Sequence, residues 1–168
     1  MLVIDENISE IEVWRLREWS LAVRQIGPDV AKLGLGDDNI LPLLHKIKRP
    51  TFFTRDRDFW KPALRHMGYC LVFLDIPEHE GEVDTAARRF LGQADFDTFA
   101  KRMGTVVRLH ADGIHYWQIG RQLLQRVCLG GNLTLRGWSG ICLWFELSPE
   151  LVCPWDSLAL VRAGFHAT

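Results

Sequence analysis

The feature that most constrains this chain is an alternation of short apolar runs that stop at acidic residues with segments of helical spacing. Leu2-Val3-Ile4 stops at Asp5-Glu6-Asn7, and Thr51-Phe52-Phe53-Thr54 stops at Arg55-Asp56-Arg57-Asp58-Phe59. A third run, residues 69–74, is closed by Asp75 and Pro77. Runs this short and this continuous predict strands buried on both faces. Between the first two, Ser9 and Glu12 have capping-box spacing, and Ile8, Ile11, Leu16 and Trp19 form an apolar stripe, which predicts a helix over roughly 8–20. A short strand over 21–26 follows. Asp37-Asp38-Asn39 offers N-cap chemistry to a helix carrying Ile40, Leu43, Leu44 and Ile47, one that must start late to accommodate Pro42. Residues 82–103 read as one long helix with Ala86, Phe90, Ala94, Phe99 and Met103 inward. Parallel neighbours need a long connection, which a helix supplies, so the alternation predicts an α/β fold with a mainly parallel central sheet and flanking helices. Residues 105–110 and 114–119, joined by Ala111-Asp112-Gly113, read instead as a hairpin with an Asp-Gly turn.

Length and composition set the outer limits. With 168 residues, 48% of them hydrophobic and 24% charged, the chain can bury one sizeable core. A formal net charge of -1 excludes a basic field over the whole molecule, so any nucleic-acid contact must use a local patch. Cys70, Cys128, Cys142 and Cys153 are too widely spaced for a zinc knuckle. The amino terminus turns acidic after four residues and lacks the pattern of a secretory signal; no stretch is apolar enough for a membrane span, and a reducing cytoplasm is the expected setting. From about residue 121 charged residues thin out and Trp138, Trp144 and Trp155 stand among Gly and Leu. The expected organisation is therefore a domain over 1–120 and an extension over 121–168. That extension reads as a hairpin around Gly130-Gly131-Asn132 covering a sheet edge, as an oligomer contact such as a homodimer, or as apolar chain seeking a partner.

The chemistry lies in the acids that end the runs. In open parallel sheets functional groups gather outside the carboxyl ends of the strands, where Asp5, Asp56 and Asp58 are all expected, and Asp37 at a helix start completes a ring. Taken singly each has a plain explanation: Asp5 ends a strand, Asp37 caps a helix, and Asp56 and Asp58 pair with Arg55 and Arg57. Together they repel unless a cation neutralises them, and oxygen ligands select a hard ion, Mg2+ or Mn2+, held by Asp5, Asp56 and Asp58. Metal-assisted hydrolysis of a phosphodiester is the reaction that such a centre suits. Glu6 and Asn7 are candidates for holding the aspartates in place. Arg55, Arg57, Lys61 and Arg65, with Lys46, Lys48 and Arg49 before the same strand, are candidate phosphate contacts. Trp60, Phe59 and Tyr69 are candidates for stacking on bases, Phe59 fitting a core position better. His110 and His115 bracket the Asp-Gly turn and read as a solvent-facing hairpin end.

These residues resemble a known family, the small PIN-like proteins of bacteria and archaea, many regarded as toxins of toxin and antitoxin pairs. Asp5-Glu6-Asn7 after an apolar strand is similar to the family's opening. Gly34-Leu35 with Asp37-x-x-Ile40 looks like its central acidic segment, and Thr54-Arg55-Asp56-Arg57-Asp58-Phe59 resembles its Thr-Arg-Asp-x-Asp-Phe signature. The resemblance covers roughly residues 1–120. It implies a PIN-like three-layer α/β fold with a C-terminal hairpin, magnesium-dependent endoribonuclease activity, and neutralisation by a small antitoxin protein. Residue by residue it implies Asp5, Asp37, Asp56 and Asp58 as the catalytic acids, with Thr54, Arg55 and Arg57 beside them. Trp19-Ser20-Leu21-Ala22-Val23 stands where the family has Gly-His-Asp, the glycine-rich central loop is short, and Pro42 departs from the family's helix. Two rivals follow: a catalytically inactive PIN-like module that binds RNA or an antitoxin, and a phosphoryl transferase with Asp56 and Asp58 as nucleophile and acid.

Overall fold

The computed structural model describes residues 1–19, 22–31, 34, 36–79 and 81–128, the Asp37 side chain excepted. Its elements are β1 (Leu2–Ile4), α1 (Glu10–Glu18), β2 (Val23–Gln25), α2 (Asp37–Lys46), β3 (Thr51–Thr54), β4 (Cys70–Asp75), α3 (Glu82–Leu91), α4 (Phe99–Arg102), β5 (Thr105–His110), β6 (Gly113–Gln118) and β7 (Gln125–Cys128). Two single 3-10 turns, Arg57–Phe59 and Pro62–Leu64, lie between β3 and β4. The strands form one seven-stranded sheet in the order β2-β1-β3-β4-β5-β6-β7, parallel through β5 and antiparallel from β5 to β7. Among the described residues no helix is long and apolar enough to cross a membrane.

Both faces of the sheet are covered around β1, β3 and β4, which is why those strands read as unbroken apolar runs. Alternate residues feed two cores. Leu2, Ile4, Phe53, Val72 and Leu74 meet Val13 and Leu16 of α1 and Val83 and Phe90 of α3. Val3, Phe52, Leu71 and Val106 meet Ile40 and Leu44 of α2 and the turn residue Phe59 on the other face. Truncating one of these filled positions, Phe90 to Ala for example, removes a fully buried ring and would cost about 3–5 kcal/mol.

Several expected boundaries move, each for a local reason. The long helix over 82–103 is two: α3 stops at Gly92, and Thr98 starts α4 by accepting a hydrogen bond from the Lys101 amide. Ala94 and Phe99 are consequently exposed, and Phe96 takes the inward place against Phe90 and Tyr116. α2 starts at Asp37 despite Pro42, with Gly36 rather than an acidic residue at the cap. Pro42 stands on the exposed flank, where a missing internal hydrogen bond costs least. Ser9 caps α1 as expected, but Glu12 does not reach back to complete the box. Its buried carboxylate instead accepts from the amides of Gly81 (2.6 Å) and Asp84 (3.4 Å) at the start of α3, clamping the two helices together. The hairpin forms with His110 opposite Gly113, so Gly113 lies in β6 rather than in the turn. It is glycine because a Cβ there would meet the Val127 carbonyl at 2.8 Å. That contact belongs to β7, which carries the sheet past residue 120. The rest of the extension, with the expected hairpin at Gly130-Gly131-Asn132 and Trp138, Trp144 and Trp155, lies outside the described residues.

Candidate active site at the carboxyl edge of the sheet

The strand order reverses at β1. Its connection to β2 runs through α1 on one face, and the connection from β2 to β3 runs through α2 on the other. In open α/β sheets such a switch point opens a crevice outside the carboxyl ends of the two strands involved, here β1 and β3. Asp5 and Thr54 stand at those two ends.

Asp5 is 3% exposed, on the same face as Val3. One carboxylate oxygen accepts from the Glu6 amide at 2.8 Å and the other from the Thr54 hydroxyl. The same Thr54 oxygen accepts from the Asp56 amide at 2.9 Å. A single hydroxyl therefore fixes the carboxylate of one strand and the backbone that leaves the next. The Asp56 carboxylate accepts from the Asp58 amide at 2.8 Å, which starts the first 3-10 turn and holds the Asp56 side chain in place. Burial raises the Asp5 pKa above the ordinary carboxylate range. The Thr54 hydroxyl and the Glu6 amide pull it down, and the charges of Glu6 and Asp56 push it up again. Asp5 thus senses the charge of Asp56, and Thr54 joins the Asp5 carboxylate to the Asp56 backbone.

The remaining expected residues fall into three groups. Glu6 reaches across to the Gly34 amide (2.8 Å), tying the β1 terminus to the loop before α2, and Asn7 is exposed in the turn that follows. α2 runs back toward the start of β3, so Asp37 opens the helix at the same edge as Asp5; its side chain lies outside the described residues. Asp58 is drawn away: its carboxylate is 72% exposed and pairs with Lys61 at 2.9 Å. Among the described residues no three His, Cys, Asp or Glu side chains gather as a metal-binding group, so Asp5, Asp56 and Asp58 do not form the expected cluster in this arrangement.

The basic residues are redistributed as well. Arg55 donates to the carbonyls of Ile76 (3.0 Å) and Pro77 (3.2 Å), pinning the end of β4 rather than an aspartate. Arg65 donates to the carbonyls of Pro62, Gln118 and Arg121. Lys46, Lys48 and Arg49 lie at the start of β3, the amino edge, a strand length of about 13 Å from the carboxylates. Only Arg57 of that set is exposed beside Asp56 with no ion pair among the described residues. Phe59 and Tyr69 are core, and Trp60 stacks at a tilt on Trp117.

Gln25 belongs to no motif, yet it organises the site. Buried at the end of β2, it donates to the Ile8 carbonyl (2.9 Å) and holds the turn that carries Asp5 to Ile8. The available signal is its position two residues after Val23, on the inward parity of a short strand. His110 and His115 are not a solvent-facing hairpin end: both are half-buried, with ring centroids 4.6 Å apart. No family model, curated protein or solved structure matches this chain.

Proposed function

We propose that this chain is a divalent-metal-dependent endoribonuclease with a PIN-like fold, neutralised by a small antitoxin protein and housed in the cytoplasm. The observation that carries the reading is the Thr54 hydroxyl, which ties the buried Asp5 carboxylate to the backbone amide of Asp56 at the switch point of a parallel sheet. A buried carboxylate with a raised pKa, beside a second carboxylate, is short of positive charge. Asp5 and Asp56 are the residues that would hold Mg2+ or Mn2+, with Asp37 as a third ligand from the start of α2. When bound, the ion supplies orientation of a phosphodiester, activation of the attacking water and stabilisation of charge on the leaving oxygen. Thr54 favours the ionised form of Asp5 by donating to it, Glu6 holds the loop before α2, and Arg57 is the substrate-side cation. Asp58 stands outside this set, bound to Lys61.

One observation favours a second reading, an inactive PIN-like module that binds RNA or an antitoxin: Asp58, the last acid of the motif, is exposed and bound to Lys61. Incubation of the purified chain with a mixed RNA pool separates the two, run with Mg2+, with chelator, and with Asp56→Asn. The nuclease reading expects cleavage only by the unaltered chain with metal, falling by roughly 100-fold or more in the variant, the scale of losing a principal transition-state contact. Binding without cleavage under every condition establishes the inactive module, and cleavage indifferent to chelator removes the metal.

A further inference from the structure

The register of the sheet connects the carboxylate pair to a polar row that the mechanism does not use. Thr54 stands opposite Phe73, Phe73 opposite Arg108, Arg108 opposite His115, and His115 opposite Arg126. All five project from the α2 side of the sheet, the side of Asp5, because Phe52, Leu71, Val106 and Trp117 two residues away pack under or beside α2. That neighbouring apolar row is covered by α2 and Trp60. Along the row burial falls from Phe73, which is buried, through the half-buried Arg108 and His115 to the exposed Arg126.

Arg108 is paired with Asp75 through two of its nitrogens, and Arg126 at the edge strand has no ion pair among the described residues. After burial, the groups that lower the His115 pKa are His110, Arg126 and Arg108, and no acidic group offsets them. Four strand-to-strand steps of about 4.8 Å put Arg126 about 19 Å from Thr54, with Phe73, Arg108 and His115 between them. An exposed cation on the edge strand, with a pair of imidazole rings and a second arginine inward of it, suits a polyanion with unstacked bases.

We infer that the row Phe73, Arg108, His115 and Arg126 is the track along which a single-stranded RNA leaves the carboxylate pair, with phosphates on Arg126 and Arg108 and bases against His110 and His115. This rests on the nuclease reading. The test measures binding apart from cleavage: fluorescence anisotropy of a labelled single-stranded RNA of about 12 nucleotides with the full chain in chelator. Arg126→Glu is expected to weaken binding about tenfold and to reduce the salt slope by about 1, with Arg126→Ala intermediate, as for loss of one phosphate contact. Arg89→Glu, an exposed charge on α3 on the opposite face, is expected to change it less than twofold. No binding by the unaltered chain at low salt, or equal effects of Arg126→Glu and Arg89→Glu, overturns the track. Cleavage that needs Asp56 and metal while Arg126→Glu binds normally removes the track alone. A loss of binding in Arg126→Glu with no metal-dependent cleavage removes the nuclease and keeps the track.

Discussion

The two ends of β3 each hold a buried charge through a threonine, and they treat it oppositely. At the carboxyl end Thr54 donates to Asp5; at the amino end Thr51 accepts from the Arg102 guanidinium at 3.2 Å. Arg102 is 4% exposed and its surroundings are closed. It also donates to the Phe96 carbonyl at 2.6 Å and lies over the Phe99 ring, while the Thr105 hydroxyl donates to its carbonyl. Neutral dipoles and a ring face take most of the spread cation, and the Asp97 charge supports it against burial, which lowers its pKa. Burial disfavours the charged form of both groups, but the charges near Asp5, on Glu6 and Asp56, add to that effect, whereas Asp97 near Arg102 opposes it. One edge of the sheet is a finished joint between α4 and the strands. The other is left electrostatically incomplete, the condition expected where a cation binds.

Removal of the arginine breaks the comparison most severely on the side of stability. Arg102→Met leaves the Thr51 hydroxyl and the Phe96 carbonyl buried without their donor, and should cost about 3 kcal/mol, or about 8 °C in Tm for a chain of this size. Cleavage per folded molecule, measured well below the transition, should stay within about twofold. A variant that keeps its Tm would show that the amino edge is not a structural joint.

Replacing each threonine by valine sharpens the contrast. Both are fully buried, so either change should destabilise by about 1–3 kcal/mol through a polar partner left unpaired. The functional consequences should differ. Thr54→Val removes the hydroxyl that favours ionised Asp5 and frees the Asp56 amide, so cleavage should fall about tenfold and its acid limb should move to higher pH. Thr51→Val should leave the pH profile unchanged. Identical profiles for the two variants would mean that Thr54 only packs.

The strand ends that pose this contrast were legible in the sequence because an apolar run closed by acids has one reading in a parallel sheet. The three runs, the alternation and the positions of Asp5 and Asp56 came from that pattern alone. What was not legible depends on partners distant in the chain. Arg102 carries no sequence signal, since nothing local says that β3 will lie across it. Glu12 was read against Ser9 three residues away, and its carboxylate serves Gly81 instead. His110 and His115 were read from the turn between them, whereas β7 and the sheet register set their environment. Asp58 shared a motif with Asp56, but the turn that Asp56 caps rotates it toward Lys61.

Asp5→Asn gives a smaller effect with an informative sign. A carboxyl whose folded pKa lies above its unfolded value contributes no penalty below the unfolded value, and the penalty grows as pH rises through the folded pKa. In chelator the variant should therefore gain Tm relative to the unaltered chain between pH 4 and pH 7, although it loses cleavage. Added Mg2+ should raise the Tm of the unaltered chain at pH 7 and leave the variant's unchanged. A variant that loses Tm at pH 7 as it does at pH 4 would make Asp5 a structural residue like Arg102.

Asp58→Asn should have the smallest effect, and its size decides how far the carboxyl edge extends. The carboxylate is exposed and its partner Lys61 is 57% exposed, so solvent screens the pair and a Tm change above about 1 °C is not expected. The backbone amide that Asp56 accepts from survives the substitution, so the Asp56 side chain keeps its anchor. If the centre is Asp5 and Asp56 with the start of α2, cleavage falls by less than about threefold and its Mg2+ dependence is unaltered. A fall comparable to that of Asp56→Asn, with a raised Mg2+ requirement, would mean that Lys61 releases Asp58 when metal and RNA arrive. The turn at 57–59 would then be the moving part of the site. Lys61→Met separates the cases, since freeing Asp58 should raise metal affinity only if that carboxylate joins the centre.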